Sequence, residues 1–238
     1  MEEQKIIFII SYVYNINYTN YINHYIDNIN QFYKNASILI VDNLPNNNDK
    51  FNITPYPNVT IIQNNTSCKY EIGAYRVGLN YLITNSMVYD YYIFTQENLI
   101  IKNKYDFNNL VSNNIKACTI YSYHYDYNHD ELCKEILEKL DMYNYLDKIT
   151  FCWCNSFILH QSVIETFLSI TKDIILTTKR ESEASERYLA RILYELNDHQ
   201  NFDIDGNMKY RKYDCWTVNL LAPISNHYFV KRVQQRAI

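Results

Sequence analysis

The sequence predicts an α/β fold, a mostly parallel central sheet with helices on both of its faces. Three observations carry this. Short, nearly continuous apolar runs of strand length recur through the N-terminal half, as in strands covered on both faces. Stretches with apolar residues at helical spacing alternate with them. Each strand-like run closes on a polar cluster, the end of a parallel sheet at which ligands bind.

In order, the run from Lys5 to Val13 is the first strand. Thr19 is placed to cap a helix reaching about Tyr33, with Ile22, Tyr25, Ile26, Ile29 and Phe32 on one side. Ser37 to Val41 is a second strand, stopped by Asp42 and Asn43, and a polar loop leads to a third from Asn58 to Gln63. A helix from about Glu71 to Asn85 precedes a fourth strand from Asp90 to Phe94. Further on, Lys116 to Tyr123 and Phe151 to His160 each read as one strand. Asp130 to Leu146, Ser162 to Ile170 and Ser182 to Leu196 read as helices. Without repeats or a clear linker, residues 1–200 are expected to form one domain, and 201–238 an extension packed on it.

Composition narrows the function classes. A formal charge of -4 argues against a nucleic-acid binder, which would carry a basic face. No apolar run approaches the ~20 residues that span a bilayer. The start, Met1 to Lys5 followed by five apolar residues, is too short and wrongly flanked for a signal peptide, so a cytoplasmic location is expected. The six cysteines lack framework spacing, and Cys152-Trp153-Cys154 has no second pair to complete a zinc site. The 25 tyrosines accompany an excess of Asn and Ile, so a given Tyr is read as packing before it is read as a sugar platform.

Candidate chemistry gathers between Cys68 and Lys104. Two of the chain's three glycines, Gly73 and Gly78, lie on the helix there, which suggests close backbone approach or tight packing. The amides at the start of that helix favour an anion, with Arg76 adding charge and Gly73 giving a ligand room. Glu71 and Arg76 read equally as an acidic first turn with a surface arginine. Ser11 and Asp42 close the first and second strands. Asp42 either accepts hydrogen bonds from a base or ribose, or turns the chain with Asn43. Gln96, Glu97 and Asn98 close the fourth strand, where oxygen ligands can hold Mg²⁺ or Mn²⁺ beside a diphosphate. Glu183 and Glu186 lie three apart at a helix start. One of them can take a proton from an attacking hydroxyl, or both can be helix-start acids paired with neighbouring arginines. His160 is a weaker candidate.

The order ILIVDN, then YEIGAYRVGLNYL, then YDYYIF with a polar triplet resembles glycosyltransferases of the GT-A (Rossmann-like) fold. Within them it is similar to rhamnan-synthesis and related viral or bacterial transferases, and the Asn/Ile/Tyr bias resembles large DNA viruses of amoebae. The resemblance covers about residues 5 to 200. It implies an enzyme moving a sugar, rhamnose-like among the options, from a UDP- or dTDP-sugar to a hydroxyl of a glycan or glycoprotein, with inversion. Asp42 would contact base or ribose, and Glu71, Gly73 and Arg76 would lie beside the nucleotide. Glu97 would hold the metal, and Glu183 or Glu186 would be the base. A homodimer, and a host-cytoplasm or viral-factory location, are compatible with it. One acid stands where the family motif has two, which leaves Arg76 or lysines such as Lys102 to share the neutralising. The competing expectation is a non-catalytic relative that binds a nucleotide or glycan. A nucleotidyltransferase would need a glycine-rich phosphate loop after the first strand, and none is present.

Overall fold

The computed structural model describes residues 3–13, 19–43, 55–97, 99–120, 122–124, 131–142, 150–152, 155–204 and 229–231. Four parallel strands come first: β1 (Ile6–Tyr12), β2 (Ser37–Asp42), β3 (Val59–Gln63) and β4 (Tyr91–Gln96). Helix α1 (Thr19–Phe32) joins β1 to β2, and α2 (Tyr70–Thr84) joins β3 to β4. β1 lies between β2 and β4, with Ile9 opposite Leu39 on one side and Phe94 on the other. All seven of its residues are buried, as the unbroken apolar run requires.

Side chains alternate between two cores. Ile6, Phe8, Ile10 and Tyr12 of β1 pack with Ile22, Tyr25, Ile26 and Ile29 of α1. Ile7 and Ile9 face the other way, onto Ile72, Tyr75, Leu79 and Leu82 of α2. The α2 backbone lies close on the sheet at Gly78, where a Cβ would stand 2.9 Å from Ile9 Cγ2 and 3.3 Å from Val41 Cγ2. The second core also takes Leu189, Ile192 and Leu193 of α6 (Lys179–Leu196).

The helix expected over Asp130–Leu146 ends at Lys139, before Asp141 at φ 57, and the second half departs from expectation in three further places. The Lys116–Tyr123 stretch divides into β6 (Ala117–Thr119) and β7 (Ser122–His124), which belong to different sheets. The Phe151–His160 stretch divides likewise into β8 (Thr150–Cys152) and β9 (Phe157–His160), with Asn155 between them at φ 48. That left-handed turn interrupts the ladder, so β7 and β8 form a small ribbon of their own. β9 enters the main sheet antiparallel to β4, and β6 pairs antiparallel with β9, giving the order β3-β2-β1-β4-β9-β6. The third departure is the start of α6, at Lys179 rather than Ser182. Thr178 caps it in a capping box with Glu181.

Shorter elements complete the described chain: β5 (Leu99–Ile101), α3 (Asn108–Ser112), α4 (Glu131–Lys139) and α5 (Ile164–Thr171). The C-terminal part contributes Ile204, whose N–H donates to Thr119 O at 3.1 Å. It also contributes β10 (Phe229–Lys231), antiparallel to β5. Most of the 201–238 extension, Asn98 and the Trp153–Cys154 part of the C-x-C pair lie outside the described residues. Cys68, Cys118, Cys133 and Cys152 are free thiols, all buried. Among the described residues no helix is long and apolar enough to cross a membrane.

Candidate functional site

The sheet reverses direction at β1. From β1 the chain steps outward through β2 to β3, and α2 then carries it back to β4 on the far side of β1. A crevice opens beyond the carboxyl ends of the two strands that diverge at such a point. Ser11 of β1 and Gln96 of β4 are register partners there, on the α2 side of the sheet, and Glu97 follows in the turn.

A ladder of amides lines the exits of β1, β2 and β3. Asn43 Nδ2 donates to Ser11 Oγ at 2.9 Å and to Tyr70 O at 3.1 Å. Asn64 Nδ2 donates to Asn43 Oδ1 and to Cys68 O, both at 2.8 Å. Asn64 Oδ1 in turn accepts from Thr66 N and Thr66 Oγ1. These bonds fix the loop from β3 into α2 and bring the Cys68 carbonyl against Gly73. A Cβ on Gly73 would stand 2.0 Å from Cys68 O. The glycine therefore admits the protein's own backbone, and the room expected for a ligand is filled by it.

Glu71, in the first turn of α2, joins three other segments. Its Oε1 accepts from Gln96 Nε2 at 2.6 Å. Its Oε2 accepts from Ser182 Oγ at 2.8 Å and from Asn155 Nδ2 at 3.4 Å. Ser185 Oγ lies 3.0 Å from Asn155 Oδ1, extending the network into α6. Below it, Tyr75 is fully buried with rings of Phe94 and Phe157 edge-on, and its hydroxyl has no hydrogen-bond partner among the described residues. Burial first, then the charges of Glu71 and Glu97 among others, holds that phenol protonated, well above the usual tyrosine range.

The structure thus brings Ser11, Glu71, Gln96 and Glu97 to one end of the sheet. Asp42 is buried at the same end of β2, in register with Tyr12 and Gln63. Arg76 is directed elsewhere: Nη1 donates to Ile174 O and Nη2 to Lys172 O, both at 2.7 Å, which straps the α5–α6 connection to α2. Lys102 is exposed. Glu183 is exposed, with an ion pair to Lys179 at 3.4 Å. Glu186 is half-buried and lies four residues after Ser182, on the helix face that meets Glu71. His160 has a structural place. Its Nδ1 accepts from Ser162 N at 3.2 Å, its ring meets that of Tyr91 edge-on, and burial lowers its pKa.

Sequence reasoning gave no site role to Asn155, Ser182 or Ser185, and took Asn43 only as a strand-end residue. The legible signal was position: Asn43 and Asn64 directly follow β2 and β3. Among the described residues no three His, Cys, Asp or Glu side chains gather into a metal-binding group. Glu71 accepts three hydrogen bonds, and Glu97 lies half-buried just past the exit of β4. No protein-family model matches the chain, and no curated protein matches it either.

Proposed function

We propose that the chain is a GT-A-like glycosyltransferase that transfers a sugar from a nucleoside diphosphate donor to a hydroxyl acceptor. The observation that carries the reading is the alignment of Ser11 with Gln96, followed by Glu97, at the exits of the two strands where the sheet reverses. The resemblance in the α2 and β4 segments supports it, because those segments supply Glu71, Gln96 and Glu97 to that crevice. Glu97 would hold a Mg²⁺ or Mn²⁺ arriving with the donor, and the cation would neutralise the departing diphosphate. Of the two late carboxylates, Glu186 is the better base, since Glu183 points to solvent and Lys179.

Thermal shift with UDP- and dTDP-sugars, with and without Mn²⁺, tests the donor reading, because a ligand specific to the native state raises Tm. Stabilisation by at least one nucleotide-sugar is expected, and its loss in Glu97→Ala. No shift with any of them sinks the reading, and unchanged binding and turnover in Glu97→Ala removes Glu97 from the site. The outward position of Glu183 favours a second reading, a domain that binds the donor or a glycan without transfer. Donor hydrolysis and transfer assays on Glu186→Gln separate the two: an enzyme loses turnover while keeping donor affinity, and a binding domain shows no turnover to lose.

A further inference from the structure

We infer that Glu71 is a positioning residue. It locks the Gln96 side-chain amide so that the crevice is offered an acceptor, and the ligand group placed there is a hydroxyl rather than a bare phosphate oxygen. The inference rests on the donor-site reading and deepens it, by naming which part of the ligand meets the β1–β4 exit. A carboxylate only accepts hydrogen bonds. Glu71 Oε1, 2.6 Å from the Gln96 nitrogen, therefore requires that Nε2 face it, at the short distance of a charge-assisted bond. Glu71 cannot turn away, because Ser182 Oγ and Asn155 Nδ2 hold its other oxygen. Asn155 is itself held, with Oδ1 3.0 Å from Ser185 Oγ.

Flipping the Gln96 amide would set its oxygen against the Glu71 carboxylate. Gln96 Oε1 is thereby committed to the opposite side, where no protein group bonds it among the described residues, and the side chain is only half-buried. Beside it, the Ser11 oxygen already accepts from Asn43, which leaves its O–H to donate. The neighbouring cations point elsewhere: Arg76 to the carbonyls of Lys172 and Ile174, and Lys69 Nζ to Asn64 O at 3.3 Å. A phosphate oxygen, which only accepts, would meet Gln96 Oε1 and two carboxylates. A ribose or sugar hydroxyl donates to Gln96 and accepts from Ser11.

The test uses the full chain, ¹⁵N-labelled, with the Gln96 side-chain amide followed by NMR. Without ligand, its Nε2 protons should exchange slowly with solvent, and about tenfold or more faster in Glu71→Gln, for loss of a charge-assisted bond. In that variant the new amide at position 71 turns its nitrogen to Gln96, which flips. The double exchange Glu71→Gln/Gln96→Glu restores an acceptor on the crevice side. One oxygen of the relocated carboxylate is then held by the amide at position 71, and the other is presented. Uridine, L-rhamnose and pyrophosphate are the probes, separating ribose, sugar and phosphate.

Uridine or L-rhamnose should move the Gln96 amide signal, and pyrophosphate without metal should not. Affinity for the hydroxyl compound, measured by isothermal titration calorimetry, should fall about tenfold in Glu71→Gln and recover in the double variant. Equal amide exchange in wild type and Glu71→Gln overturns the lock and leaves the donor reading standing. A response to pyrophosphate alone, or to none of the probes, overturns the hydroxyl assignment. A locked amide with no nucleotide-sugar binding instead sinks the transferase reading.

Discussion

The α-carbon of Gly73 faces the carbonyl oxygen of Cys68, so closely that a methyl group there would stand 2.0 Å from it. The contact is with backbone that Asn64 also holds, through its 2.8 Å bond to the same oxygen. Gly73→Ala must therefore displace the loop or the helix start. It should cost at least the ~3 kcal/mol at the upper end of ordinary overpacking. Gly78→Ala meets only side-chain methyls and gains ~1 kcal/mol of helix propensity, so it should be the milder of the two. Urea unfolding of both variants checks the order, and a Gly78 variant less stable than the Gly73 variant would contradict it.

Arg76 spans two carbonyls with its two terminal nitrogens, a forked geometry that an ammonium cannot copy. Arg76→Lys should lower stability by about 1–3 kcal/mol. It should also speed amide hydrogen exchange at Lys69 and Leu176, whose N–H groups bond Leu176 O and Cys68 Sγ across the same junction. If the lysine variant kept both its exchange rates and its stability unchanged, the strap would be idle.

Tyr75 carries a fully buried hydroxyl with no partner among the described residues. An unsatisfied buried hydroxyl costs about 1–3 kcal/mol, so Tyr75→Phe should match or exceed the wild type by up to that amount. A drop in Tm for the Phe variant would show that the oxygen has a use.

Glu181 receives hydrogen bonds from the backbone of Thr177 and Thr178, which lower its pKa below the ordinary 4.5. A carboxyl whose pKa is depressed by folding stabilises above its unfolded value, and that share is lost as pH falls through the folded value. The stability difference between wild type and Glu181→Gln should be full at neutral pH and shrink below about pH 4.5. Thr178→Ala, which removes the other half of the capping box, should cost about 1 kcal/mol at neutral pH. Equilibrium unfolding as a function of pH reads both, and a difference that grows on acidification would refute the assignment.

What the sequence made legible follows from where the information lies. β1, β2 and β4 were readable because parallel strands buried on both faces announce themselves as apolar runs, and β3, a partly exposed edge strand, by its short β-branched run; all four observed bounds fall within two residues of the expected ones. β5 was not, because its three residues are a strand by virtue of a distant partner, β10. The antiparallel entry of β9 was equally hidden, since strand direction is set by tertiary pairing. The break at Asn155 was masked by composition: in a chain this rich in Asn, one more gives no warning of a left-handed turn. The site divided along the same line. Ser11, Gln96 and Glu97 were legible as candidates because they end readable strands, whereas Ser182 meets Glu71 only through the packing of α6, and Asn155 only through the turn that precedes β9.

The pairing of β10 with β5 has a consequence for biosynthesis. β5 begins two residues past Glu97, yet Ile101 finds its ladder partner only at Phe229. On a ribosome, β1 to β4 can assemble from the first emerging hundred or so residues, at the pace of ~5–20 residues per second. The margin of the crevice beside Glu97 must wait until Lys231 has been made. A nascent chain halted earlier would carry the whole parallel sheet and still leave β5 without its ladder, a difference that a protease or chaperone could read.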